Sequence, residues 1–186
     1  MAGFIATLDA CVLVPITLAD TLLRVAEREL YRPVWSERIL AETMDAICAV
    51  HPEADPDAIR RRISDMNTTF EDACIEGWES IEINIILPDP DDRHVVAAAV
   101  CGRAGVIVTS NLKDFPAAVL KPFGLEVLSP DDFLLDALDL APRIVLDVIR
   151  EQAAHSRRPV LSPVDVVARL ARAGVPQFAD EIGRLI

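Results

Sequence analysis

Several large functional classes are excluded by what the sequence lacks. No window reaches the roughly 18 uninterrupted apolar residues that a membrane span needs, so no transmembrane helix and no membrane partner are expected. Neither GxGxxG nor GxxxxGK[ST] occurs, which removes the glycine-rich loops that cradle nucleotide phosphates. There is no GxSxG elbow to present a serine nucleophile. Only three histidines occur, His51, His94 and His155, and no second histidine or cysteine stands at ligand spacing from His94, which argues against zinc. Aromatic residues make up only 5% of the chain, so Ile, Val, Leu and Ala must fill its interior. The N-terminus has no basic flank and Asp9 interrupts its apolar run, so no signal peptide is expected. The four cysteines (Cys11, Cys48, Cys74, Cys101) are scattered singly through apolar segments. That pattern suits reduced core residues in a cytoplasmic protein better than disulfides or a metal cage.

What remains is a chain of 186 residues with 52% hydrophobic and 26% charged residues, a globular composition long enough for a real core. Its formal charge of −12 argues against a general nucleic-acid binder, which carries a basic face. The excess is uneven: 11 basic and 21 acidic residues precede Pro130, and 7 and 9 follow. Two readings share this observation. One is a solubilising surface; the other is a cation site with a field that attracts a basic partner.

Hydrophobic periodicity organises the chain into alternating elements. Phe4 to Leu8 reads as a buried strand ending directly in Asp9. Pro15 suits the first turn of a helix running to about Leu30, and Ser36 caps another to about Val50. Asp55 caps a third helix, expected to carry Ile59, Ile63, Met66, Phe70 and Cys74 on one face and to stop at Gly77. Ile81 to Leu87 alternates and reads as a strand. A helix from about Asp92 to Ala104 follows, with Gly105 as its stop, then a strand from Val106 to Thr109 and a short last strand from Leu125 to Leu128. Helices alternating with strands imply parallel pairing and right-handed crossovers. The expected fold is therefore α/β, a three-layer α/β/α domain around a central parallel sheet at 1–129. Beyond Pro130, segments near 131–139, 143–155, 163–173 and 176–185 all have helical periodicity, marking an all-helical C-terminal extension at 130–186.

Ligand sites in open parallel sheets form outside the carboxyl ends of the strands. Two strands here deliver acids to that edge. Asp9 ends the first; Thr109, Ser110, Asn111 and Asp114 follow the strand from Val106, while Asp89, Asp91 and Asp92 crowd the entrance of the preceding helix. Clustered carboxylates raise one another's pKa, and a hard divalent cation removes that penalty. Two such ions can activate water and stabilise the leaving oxygen of a phosphodiester.

Four pieces in this order, DACVLVP from Asp9, SERILAETMDAI around Glu42, DPDDRHVVAAAV around Asp92 and VTSNLKDF from Val108, resemble PIN domains. The chain resembles more closely the VapC-type ribonuclease toxins of type II toxin–antitoxin systems. The resemblance covers most of residues 4 to 128 and implies a PIN-like fold with a metal-dependent endoribonuclease site using Mg²⁺ or Mn²⁺. It implies an RNA substrate such as tRNA, products with a 5′-phosphate and a 3′-hydroxyl, and a cognate antitoxin that blocks the acidic pocket. Carried over by position, it points to Asp9, Glu42, Asp92 and Asp114 as catalytic acids, with Asp9, Asp92 and Asp114 on the metal. Asp91 competes with Asp92 for that role. Asn111 and the hydroxyl of Thr109 or Ser110 would shape the turn. A polyanionic substrate also needs local positive charge, for which Arg24, Arg93, Lys113 and the Arg60-Arg61-Arg62 run are candidates, the run reading equally as a solvated helix face. Cys11 stands where many relatives have Asn, and the extension after Pro130 is absent from short family members. The apolar helices also suggest a homodimer.

Two other classes compete. Lys121-Pro122-Phe123 near a late strand is similar to receiver-type phosphoacceptor domains, but these need an acidic pair after the first strand, where Ala10-Cys11 stands instead. A non-catalytic PIN-like binding module would differ in tolerating substitution of Asp9 or Asp92.

Overall fold

The computed structural model describes residues 4–157 and 159–186; the expectation about the N-terminal flank falls partly on residues 1–3, outside the described residues. The chain runs β1 (Ile5–Leu8), α1 (Ala10–Leu13), α2 (Ile16–Glu27), β2 (Arg32–Val34), α3 (Glu37–Val50), α4 (Pro56–Thr69), α5 (Glu79–Glu82) and α6 (Arg93–Cys101). It continues through β3 (Val106–Val108), α7 (Ala117–Leu120) and β4 (Glu126–Leu128) into four helices, α8 (Pro130–Leu140), α9 (Pro142–His155), α10 (Pro163–Arg172) and α11 (Pro176–Gly183).

The four strands form one sheet in the order β2-β1-β3-β4, all parallel. Leu8 pairs with Val108, and Val108 with Leu128. This register places the next residues, Asp9 and Thr109, side by side at the carboxyl edge. Asp9 N donates to Val108 O at 3.1 Å and Thr109 N to Leu128 O at 3.1 Å. Helix α6 packs on β1 and β3 through a run from His94 to Ala99 that is buried on every side. Its small residues, Ala97, Ala98 and Ala99, let the helix lie close to the sheet, so the turn before it is fixed over the strand ends.

The C-terminal helices are joined to this body by specific contacts. Thr21 Oγ donates to Gln152 Oε1 at 2.8 Å and Gln152 Nε2 to Thr17 O at 2.9 Å, linking α2 to α9. Arg28 and Glu151 pair across the same boundary. Phe133 of α8 meets Tyr31 edge-on with ring centroids 4.9 Å apart. Prolines open all four helices, where the fixed φ and missing N–H do no harm; Ser162 and Asp165 form a capping box on α10.

Three sequence expectations are corrected. Ile81 to Leu87 is not a strand. Its backbone N–H groups close local turns, Ile81 N to Trp78 O and Ile85 N to Glu82 O, and Ile83 and Ile86 are 81% and 77% exposed. The segment packs on α6, where no strand offers a ladder. Helix α4 ends at Thr69 rather than Gly77; Cys74 instead lies beside Trp35 in a parallel bridge, continuing the line of β2. Helix α6 ends at Cys101, with Gly102 as cap. A Cβ on Gly102 would sit 3.0 Å from Ile75 Cγ1 and 3.1 Å from Ala98 O, so the close approach favours glycine there. The unexpected strand β2 contains Pro33, which an edge strand tolerates. Among the described residues no helix is long and apolar enough to cross a membrane.

Candidate metal centre

Asp9 is held by every atom it offers. It caps α1, with Oδ1 accepting from Ala10 N at 2.7 Å. Its Oδ2 accepts from Thr109 Oγ at 2.7 Å and from Cys11 Sγ at 3.2 Å. Thr109 Oγ in turn accepts from Asn111 N at 3.0 Å, and Asn111 Nδ2 donates to Asp114 Oδ2. Ser110 N reaches Cys11 Sγ at 3.2 Å. The turn after β3 is thus sewn to the turn after β1, and Asp114 is aimed by the same chain of bonds. Burial, and then the Asp9 charge, push the Cys11 thiol up to about 11, so it stays protonated and donates.

Opposite stands the turn before α6. Asp89 Oδ1 accepts from Asp91 N at 2.9 Å and starts a single 3-10 turn over Pro90–Asp92. Asp89, Asp92 and Asp114 each present a carboxylate oxygen, all within 4.8 Å of one another. Asp91 is exposed and is not part of this group. Asp92 Oδ2 is buried and has no hydrogen-bond partner. Burial, then the charges of Asp9, Asp89 and Asp114, push the Asp92 carboxyl up to about 6. A buried anionic oxygen without a partner is costly, and three converging carboxylates add repulsion. An all-oxygen donor set with that deficit fits a hard divalent cation.

A profile described as PIN domain matches residues 6–113, more than half of the chain. The chain belongs to the PIN-domain family. A second profile, described as VapC50 C-terminal domain, matches residues 130–184. The Mycobacterium tuberculosis protein named "Putative ribonuclease VapC50" is 48% identical over 94 residues, which are 50% of this chain and 55% of that protein. The chain therefore spans about half the length of the curated relative it matches. No solved structure matches it.

Within this PIN domain, Asp9 and Glu42 both lie outside the group of three, which Asp89 joins instead. Asp9 stands at the end of β1 with its oxygens bonded to Ala10, Cys11 and Thr109. Glu42 is held from two other helix positions. Its Oε1 accepts from His94 Nε2 and from Arg38 Nε, both at 3.1 Å. Burial by itself would raise the Glu42 carboxyl; hydrogen bonds and charge from His94 and Arg38 outweigh it and hold it below the ordinary range. Arg38 also reaches Glu82 Oε1 at 3.1 Å and Asp91 O at 3.4 Å. His94, 1% exposed, sits two residues after Asp92 and ties α3 to α6. Sequence reasoning gave it little weight because it stands alone at metal-ligand spacing; its partner is a carboxylate on another helix.

Asp89 was legible only as one of three aspartates at a helix entrance; its place before Pro90, as the cap of the turn, is what brings it in. The basic residues divide. Lys113 is 83% exposed with Nζ 4.0 Å from Asp114 Oδ2, and Arg93 is half-buried with a buried Nε that has no partner. Arg24 instead pairs with Asp20 at 3.0 Å and faces a different cleft. Arg60 and Arg61 are exposed and pair with Asp57 and Asp55. Ser110 is exposed and joins the site through its backbone.

Proposed function

We propose that this chain is a Mg²⁺- or Mn²⁺-dependent endoribonuclease, the toxin of a toxin–antitoxin pair, hydrolysing RNA phosphodiester bonds to leave a 5′-phosphate and a 3′-hydroxyl. The observation that carries the reading is the buried, partnerless Asp92 Oδ2 beside Asp89 and Asp114, at a carboxyl edge where β1 delivers Asp9. The relative's name, ribonuclease, and PIN-domain membership support the same class.

In this reading Asp9, Asp92 and Asp114 are the metal ligands, with Asp89 at reach for a further contact. Glu42 is the fourth acid, its carboxylate oriented by His94 and Arg38. Thr109 and Asn111 keep Asp9 and Asp114 in one orientation, which spares the site reorganisation when substrate arrives. Lys113 and Arg93 offer positive charge to the RNA phosphates at the rim, and the Ser110 backbone closes the turn. When bound, a divalent ion supplies the charge that offsets the carboxylates and the phosphate, and it promotes water as nucleophile. Residues 1–129 form the catalytic unit and 130–186 the extension. The substrate is RNA such as tRNA, and the cognate antitoxin covers the acidic edge with a basic segment, drawn by the negative field. The protein acts in the cytoplasm, with a homodimer as its working assembly.

The test incubates purified protein with total RNA, with and without Mg²⁺ or Mn²⁺, beside an Asp9→Asn variant. New fragments that require the ion and vanish in the variant are expected. Fragments that persist in the variant, or form equally in chelator, overturn the assignment.

A further inference from the structure

A cleft of about 670 Å³ is lined by residues of α2, α4, α9 and α10 and of the segment between α9 and α10. Both halves of the chain contribute to it. Leu23, Met66, Leu161 and Val166 give it apolar walls. Its charged lining runs against the character of the chain. Four arginines, Arg24, Arg61, Arg62 and Arg169, face three carboxylates in a protein of formal charge −12.

The four arginines are not equivalent. Arg24 is matched by Asp20 at 3.0 Å, and Arg61 reaches Asp55 at 3.3 Å. Arg62 turns inward, where Nη2 donates to the Leu13 carbonyl at 2.6 Å. Among the described residues no carboxylate lies within 4.0 Å of Arg62 or Arg169. A guanidinium offers five N–H donors, and the one bond recorded for Arg62 leaves its charge unneutralised in a half-buried place. Burial lowers the Arg62 pKa, with the more distant Asp20 opposing the shift. Such a group is stabilised by an arriving anion.

The cleft is also tied to the acid centre. Leu13 ends the four-residue helix that Asp9 caps. At about 1.5 Å per residue, the two are about 6 Å apart along the helix axis. The next helix begins with Ile16, itself in the cleft wall. Apolar walls with guanidinium groups outside any close ion pair suit nucleotides, whose bases pack on apolar or arginine surfaces and whose phosphates need charge. Arg169 does act on Asp165, one turn before it.

We propose that this cleft holds nucleotides flanking the scissile bond, with Arg62 and Arg169 on their phosphates, so that the C-terminal helices form one wall of the RNA site. The proposal rests on the nuclease reading above and adds where the substrate runs.

The test measures binding of a fluorescent RNA across a salt series, using the full chain in an Asp9→Asn background. Arg169→Glu and Arg62→Gln are each expected to weaken binding about tenfold and to lower the slope of log affinity against log salt by about 1. Arg169→Lys should keep most of the affinity. Unchanged affinity and slope in Arg169→Glu, with an unchanged melting curve, overturn the proposal and leave the cleft to a protein segment. If Arg62→Gln fails to fold, Arg169→Glu decides alone. Failure of the wild type to cut RNA with either ion would instead sink the nuclease reading, and the binding series would still answer for the cleft.

Discussion

Two aspartates show how differently one side chain can be placed in this molecule. Asp131, in the first turn of α8, is 6% exposed and uses both oxygens. Its Oδ1 accepts from Phe178 N at 2.8 Å, and its Oδ2 from Gln177 N at 3.1 Å and Gln177 Nε2 at 3.4 Å. It caps α11 from a neighbouring helix, where the N-terminal dipole favours negative charge. Asp92 is half-buried among other acids and keeps one buried oxygen without a partner. The first acid is finished by the fold; the second is left in deficit. Burial alone does not separate a structural acid from a binding one. A buried oxygen left without a partner marks a deficit that an ion can fill, whereas Asp9, bonded through both oxygens, is set at the same edge by the end of β1.

The largest effect expected from this contrast is on catalysis. Asp92→Asn should lower ion-dependent RNA cleavage on the order of 10²- to 10³-fold while leaving the ion-free protein at least as stable. A single-turnover assay beside a melting curve reads both, and a variant that cuts normally breaks the comparison. Thr109→Val removes the hydroxyl that fixes Asp9 and is expected to cost about 10- to 100-fold in ion affinity, measured by calorimetric Mn²⁺ titration. A wild-type isotherm would show that Asp9 needs no such support. Asp131→Ala should do the reverse of Asp92→Asn. It leaves buried N–H groups of α11 unpaired, costs about 2 kcal/mol and lowers the melting temperature by about 4–8 °C, with the acid centre intact. Cleavage lost without a thermal shift would contradict a structural role.

The smallest effect is in pH dependence. The folded Asp92 carboxyl titrates at about 6, against an ordinary value of 3.8, so its proton is held more tightly in the folded chain. Its contribution to stability is full below about pH 4 and is lost as pH rises through about 6. Without ions, the melting temperature of Asp92→Asn relative to wild type should rise from a low plateau below pH 4 to a higher one above pH 7. Saturating Mg²⁺ should reverse the ordering near neutral pH, because the ion stabilises only the carboxylate. A difference that stays flat with pH would remove Asp92 from the coupled group.

Much of this architecture could be read directly along the chain. The four C-terminal helices follow from a 3.6-residue apolar repeat and from prolines that each sit at a first turn. β1 and β3 are apolar runs that end in an acid and in a hydroxyl-rich turn, and the parallel register then sets those ends side by side. The misread segment, Ile81 to Leu87, has strand-like alternation, but a strand is defined by a partner, and here the neighbour is a helix. β2 was hidden by Pro33, which is admissible only because the strand lies at an edge. The acids at the strand ends were visible one by one. The entry of Asp89 into the group, the capture of Glu42 by His94 and the separate fate of Arg62 within its triplet all depend on contacts between distant segments.

Sequence by itself determined the element types, the parallel α/β order and the supply of acids near Asp9 and Asp92, because periodicity, caps and strand ends are local properties. Only the tertiary structure decided which oxygens are satisfied and which are not. That depends on what each buried group meets across the fold, and a lone pair finds its partner through space rather than along the chain.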